Sequence, residues 1–280
     1  METQIIDVPL SSSLDADQLD ERVRATWVSG DFGRIAKGYE RGAAEFIARL
    51  GLTSHDRVLD LACGTGNLAI PAARTGASVV GIDIAANLIS QAKVRAASEG
   101  LSIDFRVGNA ERLPYASATF DGVVTMFGAM FAARPDRAAA ELLRVTRPGG
   151  RIAMANWTPT GFIGEMLKTT VKYAPAPAGV PSPLFWGTDE AITERLGAGL
   201  ASLVLTRRLI TFEYPFGPED TVNLFRLWYG PTLRAFASLD ESGRKLLNED
   251  LVRLWSEHNL ATDETTRVHS EYLEVIGVVR

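Results

Sequence analysis

Val58-Leu59-Asp60-Leu61-Ala62-Cys63-Gly64-Thr65-Gly66-Asn67 is the stretch that decides the fold: a β-prone run ends in an acid and passes straight into a glycine-bearing turn. Gly64 and Gly66 allow turn angles that side chains obstruct and let the backbone come close to a ligand. The run from Asn67 to Arg74 reads as the helix that follows, with free N–H groups at its start where an anionic or carbonyl-bearing ligand group is favoured. Pro71 falls near its first turn, where a missing N–H does least harm. Asp60 at the end of a buried strand is costly unless a ligand ammonium or a turn amide partners it.

Working outward, Val79-Val80-Gly81-Ile82-Asp83 places a second acid at the end of the next strand, 17 residues after Gly66. In a doubly wound sheet such an acid reaches a ribose diol. From residue 57 to 157 β-rich runs alternate with helical ones, the pattern of a parallel sheet covered on both faces. The strands expected are Arg57 to Leu61, Ser78 to Asp83, Ser102 to Val107, Phe120 to Phe127 and Arg151 to Trp157. Ala85, Leu88, Ile89, Ala92 and Ala96 share one helix face, and Gly100 is placed to cap it. Pro135 begins the next helix and Pro148-Gly149-Gly150 stops it.

Before the core, Leu19 to Leu50 reads as two helices broken near Ser29-Gly30-Asp31, with Asp31 capping the second, packed over the carboxyl end of the sheet. After Trp157 the pattern predicts helices near Ile163 to Tyr173, Asp189 to Leu196, Glu219 to Leu239 and Ser242 to His258, with strands near Val204 to Phe212 and Glu271 to Val279. A proline cluster at 174–183 reads as an ordered loop or lid edge. The expected organisation is one compact unit: an N-terminal helical cap segment (1–50), a Rossmann-like core (51–157), and a cap insertion with the final strands (158–280).

A chain of 280 residues with 46% apolar content buries a full α/β core. Acids outnumber bases 34 to 29, and no Lys/Arg run reaches four residues, so the electrostatic footprint of a nucleic-acid binder is missing. The expected partner is a small molecule or peptide, and the chain is expected as a monomer or homodimer. One cysteine, Cys63, fits a reducing compartment, with cytoplasm the default. The N-terminal segment does not read as a signal peptide, and no apolar run approaches the roughly 18 to 20 residues that span a bilayer. No His/Cys/Asp cluster has ligand spacing, so no metal is expected.

By spacing alone, Gly64-x-Gly66-x-x-Ala69 with Asp83 downstream also satisfies the dinucleotide fingerprint, which leaves a nicotinamide-dependent oxidoreductase open. No Tyr-x-x-x-Lys pair of the short-chain type is present: Tyr39 is followed four on by Ala43, Tyr115 by Thr119 and Tyr173 by Pro177. A binding protein that keeps the nucleoside pocket without turnover is the third alternative.

Four ordered segments then carry a resemblance. VLDLACGTGN resembles the glycine-rich loop of class I S-adenosylmethionine-dependent methyltransferases, and VVGIDIAANLISQAK their second strand and helix. VGNAERLPYASATFDGVVTMFGAMF resembles their adenine-binding loop and fourth strand, and LLRVTRPGGRIAMANW the turn and fifth strand. RLPYASATFD is most similar to the ubiquinone/menaquinone-biosynthesis-type branch, which includes small-molecule and natural-product methyltransferases. The resemblance implies an α/β fold, a doubly wound, mostly parallel seven-stranded sheet with an antiparallel closing strand and a helical cap. It also implies methyl transfer from S-adenosyl-L-methionine, leaving S-adenosyl-L-homocysteine, to an O, N or C nucleophile.

Carried over by position, the resemblance implies that Asp60 and the Gly64 and Gly66 backbone hold the methionine end. Asp83 binds the ribose, Ile84 packs on adenine, Asn109 and Ala110 recognise its edge, and Met126 lies near the methyl group. Ala62, Leu88, Glu111 and Tyr39 complete the cofactor set, Tyr39 near the carboxylate. The branch more often has Asp where this chain has Asn109. No catalytic base stands out, since His55, His258 and His269 fall in peripheral stretches. Phe127, Met130, Phe162, Trp186, Trp228 and Tyr229 are candidates to line an apolar acceptor pocket. Helical spacing fits a buried face equally well, as with Leu224, Phe225 and Trp228.

Overall fold

A computed structural model of the chain describes residues 16–176 and 180–280. Helices α1 (Ala16–Val28), α2 (Phe32–Ala36) and α3 (Glu40–Leu50) precede the core, with a 3-10 turn at Lys37–Tyr39 between the last two. The core then alternates β1 (Arg57–Leu61), α4 (Ala69–Arg74), β2 (Ser78–Asp83), α5 (Ala86–Ser98), β3 (Asp104–Val107), β4 (Phe120–Met126), α6 (Pro135–Val145) and β5 (Thr146–Trp157). The cap follows as α7 (Phe162–Tyr173), α8 (Asp189–Leu196), β6 (Leu200–Tyr214), α9 (Pro218–Trp228), α10 (Gly230–Ser238) and α11 (Glu241–Glu257), and β7 (Thr266–Val279) closes the chain.

The seven strands form one sheet in the order β3-β2-β1-β4-β5-β7-β6. β1 to β5 pair in parallel, while β7 inserts antiparallel between β5 and β6. The order reverses between β1 and β4, and ligands of open α/β sheets bind at such a switch, outside the carboxyl ends of the strands. β1 and β4 are buried almost throughout, as strands covered on both faces must be.

Several expectations need correction. The helix after the glycine turn starts at Ala69, not Asn67. Its amides are already engaged: Ala69 N donates to Asp60 Oδ2 at 2.8 Å and Ile70 N to Gly66 O at 2.9 Å. Asp31 precedes α2 but caps nothing with its side chain, which accepts from Gln91 and pairs with Arg34 instead. The expected helix from Glu219 to Leu239 is two helices, because Gly230 and Pro231 follow the extended Tyr229. Pro148-Gly149-Gly150 lies within β5, where the register to β4 shifts. Of the proline cluster, residues 177–179 lie outside the described residues, and Pro183 opens a 3-10 turn to Gly187. Among the described residues no helix is long and apolar enough to cross a membrane.

Candidate active site

β1 delivers Asp60 to the carboxyl edge of the sheet with 1% of its surface exposed. Its one backbone hydrogen bond, from Ala69, does not offset the desolvation, and burial pushes the carboxyl up to about 8, with the nearby Asp83 adding to the shift. β2 delivers Asp83, whose Oδ2 accepts from Gly64 N at 2.9 Å and Oδ1 from Ala85 N at 2.8 Å. These two bonds fix the glycine loop to the second strand and lower the acid's pKa, yet burial wins and the net shift is upward. Two buried acids held above the usual carboxylate range form a site that lacks positive charge and donors.

Between them the chain turns through left-handed angles at Ala62 (φ 56°), Gly64 (φ 53°) and Gly66 (φ 84°). Ala62 carries a side chain in that region, a strain that functional sites characteristically hold. Gly66 is also required by packing: a Cβ there would meet the Phe105 ring at 3.2 Å and Ile70 at 3.4 Å. Arg95 of α5 anchors the loop from outside through Thr65 O at 2.9 Å and Asn67 Oδ1 at 2.6 Å, and leaves the Asn67 amide nitrogen buried without a partner.

These elements line a cavity at the carboxyl edge of the sheet. Of the residues expected at the cofactor, Asp60, Ala62, Gly64, Asp83, Ile84, Leu88, Asn109, Ala110, Glu111, Met126 and Tyr39 line it, and Gly66 does not. Asn109 Oδ1 accepts from Glu111 N at 2.9 Å, which sets the loop after β3. Glu111 in turn accepts from Arg134 N at 2.9 Å and pairs with the Arg134 guanidinium, which also reaches Asp20 of α1. α1 thereby closes one side of the cavity with Asp20, Val23 and Trp27. Trp27 and Phe32 are, like Tyr39, aromatics that the sequence leaves open between a helix seam and a pocket wall, whereas Asp20 and Val23 are not singled out there, although the i, i+3, i+7 spacing of Asp20, Val23 and Trp27 is visible in the chain.

A second, much smaller cavity, with room for about one water, adjoins the first and shares Phe32, Tyr39 and Phe127 with it. Its walls are aromatic, with Phe127 stacked on Trp157 at 3.4 Å between centroids and Tyr39 edge-on to Phe127 at 5.6 Å. Phe127 also has a left-handed backbone (φ 55°), an outlier for a bulky residue, immediately after β4.

The acceptor candidates divide. Phe127 borders both cavities and Tyr229 the second, joined there by Phe225. Met130 faces an outer groove with Leu19 and Arg22. Phe162, Trp186 and Trp228 border neither cavity. Phe162 packs edge-on against Trp255 at 4.5 Å, Trp186 is buried beneath Arg195, and Trp228 carries the Arg34 guanidinium at 4.2 Å. His55 is exposed, His258 pairs with Glu165 and His269 bonds Thr211, all away from both cavities. Cys63 lines the first cavity, but burial pushes its thiol well up, which removes a nucleophilic role. Among the described residues no group of three or more His, Cys, Asp or Glu is placed to hold a metal ion.

Comparison with known proteins assigns the class. The family described as a methyltransferase domain matches residues 59–154, the segment that builds β1 to β5 and the glycine loop. The chain belongs to the class I S-adenosylmethionine-dependent methyltransferases. Among its relatives, protein Rv1403c of Mycobacterium tuberculosis (strain ATCC 25618 / H37Rv) is 37% identical over 221 residues, 78% of this chain and 81% of that protein. A demethylmenaquinone methyltransferase of Renibacterium salmoninarum is 38% identical over 116 residues, 41% of this chain and 47% of that protein. The crystal structure of the YcgJ protein of Bacillus subtilis superposes with a TM-score of 0.57 at 17% identity, covering 86% of this chain and 98% of that one, a likeness of fold.

Proposed function

We propose that this chain methylates a small-molecule acceptor that enters on the side of the second cavity while the cofactor occupies the first. The observation that carries this reading is the shared wall: Phe32, Tyr39 and Phe127 border both spaces, so an acceptor in one lies next to a cofactor in the other. The second cavity is small and bordered by α2, α7 and α9, which suits a compact molecule better than a peptide chain.

The first cavity fits S-adenosylmethionine by the chemistry of its donors and acceptors. Asp60, buried and short of positive charge, would face the ammonium, and Asp83 has lone pairs left for the ribose hydroxyls. The unpartnered Asn67 amide nitrogen would donate to the carboxylate, while Ile84 and Leu88 flank the adenine and Asn109 and Ala110 meet its edge. When bound, S-adenosylmethionine supplies a sulfonium methyl group, an electrophile that an acceptor lone pair attacks in line with the departing sulfur.

The chain's own residues then position and exclude water. In the second cavity only Tyr39 and Tyr229 titrate, and burial pushes both phenols far above their ordinary value, so neither serves as a base. The acceptor must therefore bring a lone pair already free, as a neutral amine, an acidic phenol or an activated carbon does.

The test has two parts. Calorimetric titration with S-adenosylhomocysteine, NAD and NADP should show binding of the first alone. Asp83→Ala should weaken that binding at least tenfold, since charge-assisted hydrogen bonds are each worth roughly 1.5–3 kcal/mol. Formation of S-adenosylhomocysteine is then followed with panels of phenols, amines and peptides. Turnover confined to peptides would overturn the small-molecule reading.

A further inference from the structure

The ligand that fits the first cavity carries a carboxylate, and the cavity wall offers it no cation. Among the described residues that line this space Asp20, Asp60, Asp83 and Glu111 are acids, and none is a lysine, arginine or histidine. Asp20 and Glu111 are already paired with Arg134. A carboxylate that leaves water for such a space is costly unless neutral donors receive it. Asn67 is one such donor: it lines the cavity at the end of the glycine loop, and its Nδ2 is buried with no partner among the described residues.

Chemistry fixes which way this amide faces. Its Oδ1 accepts from Arg95 NH1 at 2.6 Å, and a guanidinium only donates, so the oxygen faces Arg95 and the NH2 group is left for another partner. The same Arg95 nitrogen donates to Thr65 O at 2.9 Å and to Thr65 Oγ1 at 3.1 Å, while the other arm of the guanidinium pairs with Glu40 of α3. Arg95 is thus held between the loop and α3, and it does not itself line the cavity. An amide whose oxygen accepts from a cation is polarised, which strengthens its N–H groups as donors, and low local dielectric enlarges the effect.

We infer that Arg95 is a positioning residue for the carboxylate of the cofactor: acting through Asn67, it holds the amide with its N–H groups toward the ligand and strengthens them. The carboxylate then feels a positive charge that does not stand in the site. The arrangement has a reason. A guanidinium inside the cavity would compete for Asp60 and Asp83, the acids that the ammonium and the ribose require, whereas a cation placed one amide behind the wall leaves both acids free. This inference rests on the reading of the first cavity as the S-adenosylmethionine site and names what selects the carboxylate there.

The experiment titrates the full-length protein calorimetrically with S-adenosylhomocysteine and with its decarboxylated analogue, which keeps the adenosine, the thioether and the ammonium. The readout is the ratio of the two affinities. Asn67→Asp keeps an oxygen for Arg95 and replaces the NH2 group by a second oxygen, so the anchor of the loop survives. It should weaken S-adenosylhomocysteine about tenfold or more, the worth of a hydrogen bond to a charged group, without weakening the analogue. Arg95→Met should lower the wild-type preference for S-adenosylhomocysteine about five- to tenfold, and Arg95→Lys, whose ammonium carries three donors, should restore most of it. A purely structural role predicts otherwise, since a loosened loop weakens both ligands alike. Equal losses for the two ligands in Arg95→Met overturn the inference, as does unchanged binding of S-adenosylhomocysteine by Asn67→Asp. Failure of S-adenosylhomocysteine to bind the wild type is a separate result and takes down the reading of the first cavity as well.

Discussion

Asp60 shows how one side chain couples fold to ligand. Its carboxyl, held at about 8 by burial against an ordinary value of 3.8, keeps a proton at neutral pH that an unfolded chain releases. The raised value fixes the sign. This group's contribution to stability is complete below pH of about 4 and is lost as pH climbs through about 8. A ligand ammonium reverses the balance by favouring the ionised form, so binding near pH 7 should expel up to one proton. Calorimetry of S-adenosylhomocysteine in buffers of different ionisation enthalpy reads that proton directly. Affinity should rise from pH 6 toward pH 8, then level as Asp60 becomes ionised in the free protein and binding no longer expels a proton. Asp60→Asn should weaken binding and remove the released proton. A wild-type proton count of zero at pH 7 would mean that Asp60 does not face the ammonium.

The glycine loop and parallel core are legible from residues because period, caps and turn chemistry agree there: Asp60, Gly64 and Asp83 all stand where their types demand. The cap is less legible, since a buried helix face and a pocket wall share one spacing. Phe162 and Phe225 are equally buried and both pack on Trp255, yet only Phe225 borders one of the two cavities. The joint between α9 and α10 is foreshadowed by Gly230-Pro231, but its partner is not. A Cβ on Gly230 would stand 2.2 Å from Thr26 O, and one on Gly30 2.2 Å from Trp228 O. Asp31 N donates to that same Trp228 carbonyl at 2.9 Å. Backbone therefore meets backbone where the end of α1 locks onto the cap. Gly230→Ala should cost about 1–3 kcal/mol through overpacking. Hydrogen exchange in α1 should accelerate more than exchange in β1 and β4, and S-adenosylhomocysteine affinity should fall because α1 closes the cavity. Uniform acceleration across the sheet would show that the contact supports the whole fold and not α1 in particular.

Across the whole molecule, the sheet supplies the cofactor side and the returning strands tie the cap to it. Glu274 of β7, buried, accepts from Arg49 of α3 at 2.6 Å and from Arg208 of β6 at 2.7 Å, so the N-terminal helices and the late strands share one charged clamp. Two classes of buried aromatic lie within this frame, and substitution separates them. Phe162 lies 3% exposed against Trp255 and borders neither of the two cavities. Phe162→Ala should lose about 3–5 kcal/mol in urea unfolding, with S-adenosylhomocysteine affinity unchanged well below the melting transition. Phe127, also 3% exposed, already faces open space on both sides of the shared wall. Its truncation enlarges an existing cavity and should cost less stability than Phe162→Ala while altering acceptor turnover more. Phe127→Gly adds a control, because glycine accepts the left-handed backbone at φ 55° without strain. It should recover part of the stability lost in Phe127→Ala and none of the turnover. If Phe127→Ala proves the more destabilising of the two alanine variants with turnover intact, the aromatic wall belongs to the core and the acceptor lies elsewhere.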